Sequence, residues 1–174
     1  MKLKGKKVAI LVENLYDEKE FWVPYYRMKE EGAEVIIVGS GSAPIYRGKN
    51  QIEVVVDKPA DAVSADDFDA IIIPGGFAPD YLRRYGSVLK LVGDAFVKNK
   101  VIASICHGAW VLVSAGILKG KRATCFFAIK DDVCNAGAEY SDSEVVMDGN
   151  LITSRKPDDL PAFCKAIITA LVGG

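Results

Sequence analysis

A chain of 174 residues, half of them hydrophobic, is long enough to bury a sizeable core, and it has no unbroken apolar run of membrane-spanning length. Its 22 Lys and Arg nearly balance 23 Asp and Glu, so a net charge of -1 gives no electrostatic reason to bind nucleic acid or an anionic membrane. The four cysteines, Cys106, Cys125, Cys134 and Cys164, lack CxxC spacing and share a single histidine, which argues against a zinc site or a disulfide framework and for free thiols.

The basic start MKLKGKK runs directly into VAILV, which is too short for a signal sequence and has no cleavage pattern after it. A cytoplasmic protein with one domain over 1–174 is therefore expected. Lys7 to Val12 suits an interior parallel strand, and Phe21 to Glu31 has helical polarity ended by Gly32. Val35 to Val38 is a second strand. After Gly39, Gly41 and Pro44, residues Ile45-Tyr46 and Ile52 to Val56 predict a hairpin across Gly48-Lys49-Asn50, an appendage to the sheet.

Ala70 to Ile73 is a third core strand, stopped by Pro74-Gly75-Gly76, and Pro79 to Arg84 and Val88 to Lys98 read as helices. Val101 to Ile105 is the next strand, with a helix from Ala109. Further on, the pattern predicts a strand at Ala123 to Phe126, a helix from Ala128 to Ala136 ended by Gly137, and a hairpin of Glu144 to Met147 with Asn150 to Thr153. A last helix begins near Pro157 and runs to Leu171. Strands alternating with helices imply a flavodoxin-like, doubly wound α/β sandwich, a mostly parallel central sheet with helices on both faces.

In such sheets ligands sit outside the carboxyl ends of the strands. That edge gathers the acidic stretch Glu13 to Glu20, the Pro74-Gly75-Gly76 turn and Cys106. Almost no residues separate the strand before Cys106 from the helix after it, so the chain must turn sharply, and Gly108 allows the helix to approach the sheet closely. A Cys there is a cysteine version of the strand-turn-helix nucleophile elbow, its sulfur at a helix N-terminus where the thiolate is favoured. An ionised Glu20 beside that sulfur would oppose the thiolate, so the two are compatible only if Glu20 is protonated and donates to it. Backbone N–H groups of Gly75, Gly76 and His107 could hold an oxyanion.

Each feature has a plainer alternative. Cys106 could be a small core residue, His107 a helix cap or interface group, and the Gly75-Gly76 turn a strand stop. Asp17 and Glu18 suit a solvated helix start or a pocket rim, and Trp110 could narrow the pocket or pack into the core.

The segments YDEKEFWVPYYRMKEEGAEV, DAIIIPGGFAPDYL, ASICHGAWVLVSAGIL, IKDDVCNAGAEY and TSRKPDDLPAF, in this order over nearly the whole chain, resemble the ThiJ/PfpI superfamily. The match is to its PfpI-like branch of intracellular proteases, glyoxalases and deglycases. The resemblance implies a cysteine nucleophile at Cys106 with His107 beside it, no metal or organic cofactor, and self-association as a dimer or higher homo-oligomer. It places the acid that hydrogen-bonds the cysteine at Glu20, four residues before Pro24. It places a second acid at Asp17, and at Asp80 an acid that reaches the histidine of a neighbouring subunit, where the branch usually has Glu in both. Ala109-Trp110 replaces the common Pro-Gln, and Lys49 and Arg155 match basic positions that otherwise read as surface charges.

Three functions fit: a glutathione-independent enzyme acting on small aldehydes, a peptidase completed at a subunit interface, and a cysteine redox sensor. The first needs only residues of this chain. Its partner is a small carbonyl substrate, that of the second a peptide, and neither involves nucleic acid or membrane.

Overall fold

Successive side chains along each strand point to opposite faces of the sheet, and this determines how the layers stack. In the computed structural model, which describes residues 1–173, Lys7–Val12 forms β1, Glu18–Glu30 helix α1 and Glu34–Gly39 β2. A hairpin of Ile45–Arg47 (β3) and Glu53–Val55 (β4) and the short Lys58–Pro59 (β5) lead to Ala70–Ile73 (β6). Helices Ala78–Leu82 (α2) and Gly86–Val97 (α3) precede Val101–Ile105 (β7), and Ala109–Ser114 (α4) follows it. Then come Arg122–Ala123 (β8), Lys130–Asn135 (α5), Glu139–Tyr140 (β9), Val145–Asp148 (β10), Leu151–Ser154 (β11) and Leu160–Gly173 (α6).

The main sheet has the order β10-β11-β7-β6-β1-β2-β5, and every pairing is parallel except β10 with β11. Val8, Ile10, Ile72, Ala103 and Ile152 face one layer, where they pack with Phe21 and Met28 of α1 and Phe163 and Ile167 of α6. Ala9, Leu11, Ile71, Ile73 and Ile102 face the other, against Val88 and Val92 of α3, Leu112 of α4 and Val133 of α5. Because both faces are covered, the central strands carry continuous apolar runs rather than a polar-apolar alternation. Each fully buried Ile contributes about 1.5–3 kcal/mol. The fold is the expected doubly wound sandwich.

The local departures have physical causes. Helix α1 starts at Glu18 rather than Phe21, because Asp17 caps it by accepting from the N–H groups of Lys19 (3.1 Å) and Glu20 (3.2 Å). The predicted strand at Ala123 to Phe126 reduces to Arg122–Ala123, paired in parallel with Glu139–Tyr140 in a separate two-stranded sheet. Past Ala123 the chain serves other partners: Thr124 N–H donates to Thr153 Oγ1 (2.9 Å) and Phe126 N–H to the Cys106 carbonyl (3.3 Å). The β3-β4 hairpin pairs Tyr46 with Val54 and stands apart from the main sheet, as an appendage should.

Candidate active site

Cys106 directly follows β7 and adopts φ 60°, a left-handed conformation rare for a residue with a side chain. Holding it there costs about 1–2 kcal/mol. One 3-10 turn, Cys106–Gly108, leads into α4, and a side chain at Gly108 would strike the Ile73 carbonyl, so glycine is needed for the helix to lie this close to β6.

The neighbouring acid comes from the other side of the site. Glu20 lies in the first turn of α1 with only 1% of its surface exposed, and the Gly75 N–H donates to its Oε2 at 2.7 Å. A Cβ on Gly75 would run into the Glu20 carboxylate and come within 2.9 Å of Cys106 Cβ and 3.1 Å of the His107 nitrogen. Only glycine allows the acid, the thiol and the turn to meet. Burial above all, then the charge of Asp17, pushes the Glu20 carboxyl up to about 8 against the pull of the Gly75 N–H and the Cys106 side chain. At neutral pH Glu20 therefore keeps its proton.

Burial first, and then the charge of an ionised Glu20, also raises the Cys106 thiol, with the His107 N–H pulling the other way. Burial thus works against the lowering expected of an elbow cysteine. The helix behind it has only six residues. Protonating Glu20 removes the opposing charge, so the two groups titrate as a pair.

His107 Nδ1 lies 3.3 Å from Cys106 Sγ. Its ring packs against Trp110 edge-on and Phe126 at 30°, with both centroids 5.0 Å away. Burial, then the charge of Lys49, lowers its pKa, so the imidazole is neutral at neutral pH. Within the chain the Asp80 carboxylate pairs with Arg84 one helical turn away, and among the described residues no carboxylate hydrogen-bonds the His107 ring. Trp110 stands behind His107 rather than lining the cavity, its indole donating to Asp132 Oδ2 at 2.7 Å beneath the Arg83 guanidinium. Gly75 likewise gives its N–H to Glu20, so it is not free to bind an oxyanion as expected.

Several residues that shape the site were not expected there. A cavity of about 480 Å³ over Cys106 is bounded by Asp17, Glu20, Gly76 and His107, and also by Leu15, Phe77, Phe126, Pro157 and Lys49. Lys49 reaches Asp17 Oδ2 at 3.1 Å, and that contact raises its pKa. Its turn is anchored by buried Glu18, which accepts from Asn50 N (2.6 Å) and Nδ2 (2.9 Å). A wider hollow of about 700 Å³ along the outside of α1, between Trp22 and Lys29, has no cysteine or histidine in its wall. Among the described residues, no cluster of three or more His, Cys, Asp or Glu is placed to hold a metal ion, and no helix is long and apolar enough to cross a membrane.

Residues 6–170 match the DJ-1/PfpI family. The chain belongs to that family. It is 41% identical over 165 residues to Deglycase PfpI of Pyrococcus furiosus, covering 95% of this chain and 99% of that one. It is 39% identical over 169 residues to Protein/nucleic acid deglycase 2 of Escherichia coli, covering 96% and 98%. A two-domain protein of Anabaena variabilis with DJ-1/ThiJ/PfpI-like and ferritin-like domains superposes with a TM-score of 0.93 at 44% identity. That match covers 95% of this chain and 48% of the Anabaena chain. In this DJ-1/PfpI chain the other cysteines lie away from the cavity: Cys125 and Cys164 are buried, and Cys134 is exposed.

Proposed function

We propose that the protein is a cysteine-dependent enzyme acting on small aldehydes, of the glutathione-independent glyoxalase and deglycase type. The observation that carries this reading is a buried Glu20 acid, held by the Gly75 N–H beside an elbow cysteine in the left-handed conformation, where burial pushes its carboxyl up to about 8. Such a pair is suited to adding a thiol across a carbonyl, because the sulfur supplies the electron pair and the acid supplies the proton. The relatives named as deglycases support carbonyl chemistry. The peptidase reading is weaker, because it needs Asp80, one methylene shorter than the usual Glu, to reach His107 across a subunit interface.

In the proposed reaction, the thiol proton passes to Nδ1 of neutral His107, 3.3 Å away, and Sγ bonds to the aldehyde carbon of a 2-oxoaldehyde. The carbonyl electron pair moves to oxygen, which takes the Glu20 proton and gives a hemithioacetal. The Glu20 carboxylate then removes the hydrogen on that carbon while His107 gives the former thiol proton to the ketone oxygen; the resulting enediol takes the Glu20 proton at the neighbouring carbon, and the hydroxyl on the sulfur-bearing carbon returns its proton to Glu20. The aldehyde carbon is thereby oxidised to a thioester while the ketone is reduced to an alcohol, so no outside oxidant is needed. Water, activated by neutral His107, cleaves the C–S bond, releasing a 2-hydroxy acid and restoring the thiol. Gly76 lines the cavity, and its N–H has no acceptor among the described residues, so it is the proposed donor to the substrate oxygen. Lys49 faces the product carboxylate.

Incubating the protein with methylglyoxal in the absence of glutathione tests this reading. Lactate should accumulate catalytically, and a rate no higher than that of buffer would reject it.

A further inference from the structure

The cavity over Cys106 is larger and more apolar than methylglyoxal, a three-carbon molecule, requires. Its volume of about 480 Å³ falls in the range of pockets that enclose drug-sized ligands. Beside the reacting groups it exposes Leu15, Phe77 and Phe126. Leu15 adopts φ 61°, a conformation that favours glycine or asparagine over a branched apolar residue. Its backbone is clamped there, with the N–H donating to the Arg47 carbonyl (2.7 Å) and the carbonyl accepting from Phe77 N–H (2.8 Å). A leucine held in this way at the wall of a reactive cavity is the kind of strain that marks a ligand-binding position. Phe77, fixed by the same hydrogen bond, remains 52% exposed, and its ring contacts Tyr81 only loosely at 6.0 Å between centroids. Phe126 lays its face over the His107 ring, so the apolar surface begins beside the reacting atoms.

We propose that Leu15, Phe77 and Phe126 form an apolar subsite that selects 2-oxoaldehydes carrying an aryl substituent over methylglyoxal. The inference rests on Cys106 attacking the aldehyde carbon, which directs the substituent on the neighbouring carbonyl into the cavity. Burying an aryl group in place of a methyl strengthens binding by at least about 10-fold.

Two measurements test this. In turnover, with the Cys106→Ser rate subtracted, kcat/KM for phenylglyoxal should exceed that for methylglyoxal by at least about 10-fold. In binding without turnover, calorimetric titration should give mandelate an affinity at least about 10-fold above that of lactate. Phe77→Ala and Leu15→Gly should each reduce both ratios several-fold, and Leu15→Gly removes backbone strain, so it should fold. Equal affinities for mandelate and lactate overturn the subsite, as do equal kcat/KM values for the two aldehydes. A preference for mandelate with no Cys106-dependent turnover of either aldehyde rejects the reaction while leaving the subsite standing.

Discussion

Cys106→Ser should lower 2-hydroxy acid formation from methylglyoxal by at least about 10³-fold while leaving the fold intact. The serine hydroxyl is a far weaker acid than the thiol, so neutral His107 cannot draw off its proton at neutral pH. Cys106 is only 8% exposed and serine is nearly the same size, so the loss of stability should stay within about 1 kcal/mol. Lactate quantified by chromatography, alongside urea unfolding of both proteins, separates the two effects. A variant within 10-fold of the parent would show that the thiol is not the nucleophile.

Glu20→Gln should disable the enzyme and stabilise the protein at alkaline pH. The folded carboxyl titrates near 8 against an ordinary value of 4.5. Between those values the folded state binds a proton that the unfolded state has lost, so the parent's stability falls as pH rises through this window and levels off above it. One pKa unit corresponds to about 1.4 kcal/mol, which makes the total several kcal/mol. A glutamine still accepts from the Gly75 N–H but cannot ionise. Its unfolding free energy at pH 9 should exceed the parent's by about 2–4 kcal/mol, with little difference at pH 5. Activity should fall about 10²–10⁴-fold, because the group that gives and takes the proton is gone. Parallel stability profiles for parent and variant from pH 5 to pH 9 would mean that Glu20 is ionised in the native site.

Both variants concern residues that the sequence brings forward for different reasons. Cys106 is visible in the local pattern, since an apolar strand, a cysteine and a glycine two residues later leave only one kind of turn. Glu20 emerges through the resemblance, because nothing in Asp17 to Glu20 alone says which acid is buried. The mostly parallel sheet follows from the alternation of strands and helices, and the covered faces from the continuous apolar runs. The two-residue strands Lys58–Pro59 and Glu139–Tyr140 have no such signal, because they exist only where β2 and β8 offer free edges.

Lys49 carries no local signal of a place at the cavity. Its partner Asp17 is 32 residues away, and the contact depends on the hairpin docking against α1 through Glu18 and Asn50. Phe126 reads as a strand residue from its neighbours, yet its N–H is claimed by the Cys106 carbonyl, which makes it a wall of the cavity. The pairing of Asp80 with Arg84 is legible, because the two are four residues apart, the spacing at which helical ion pairs form.

Trapping the acyl intermediate tests the central claim most directly. Protein mixed with methylglyoxal and quenched in acid within the first turnovers, then digested and analysed by mass spectrometry, should carry a lactoyl thioester on the peptide containing Cys106. That adduct should be released by hydroxylamine and be absent from Cys125, Cys134 and Cys164. A Cys106 peptide that remains unmodified while lactate is being formed would contradict covalent catalysis by this cysteine.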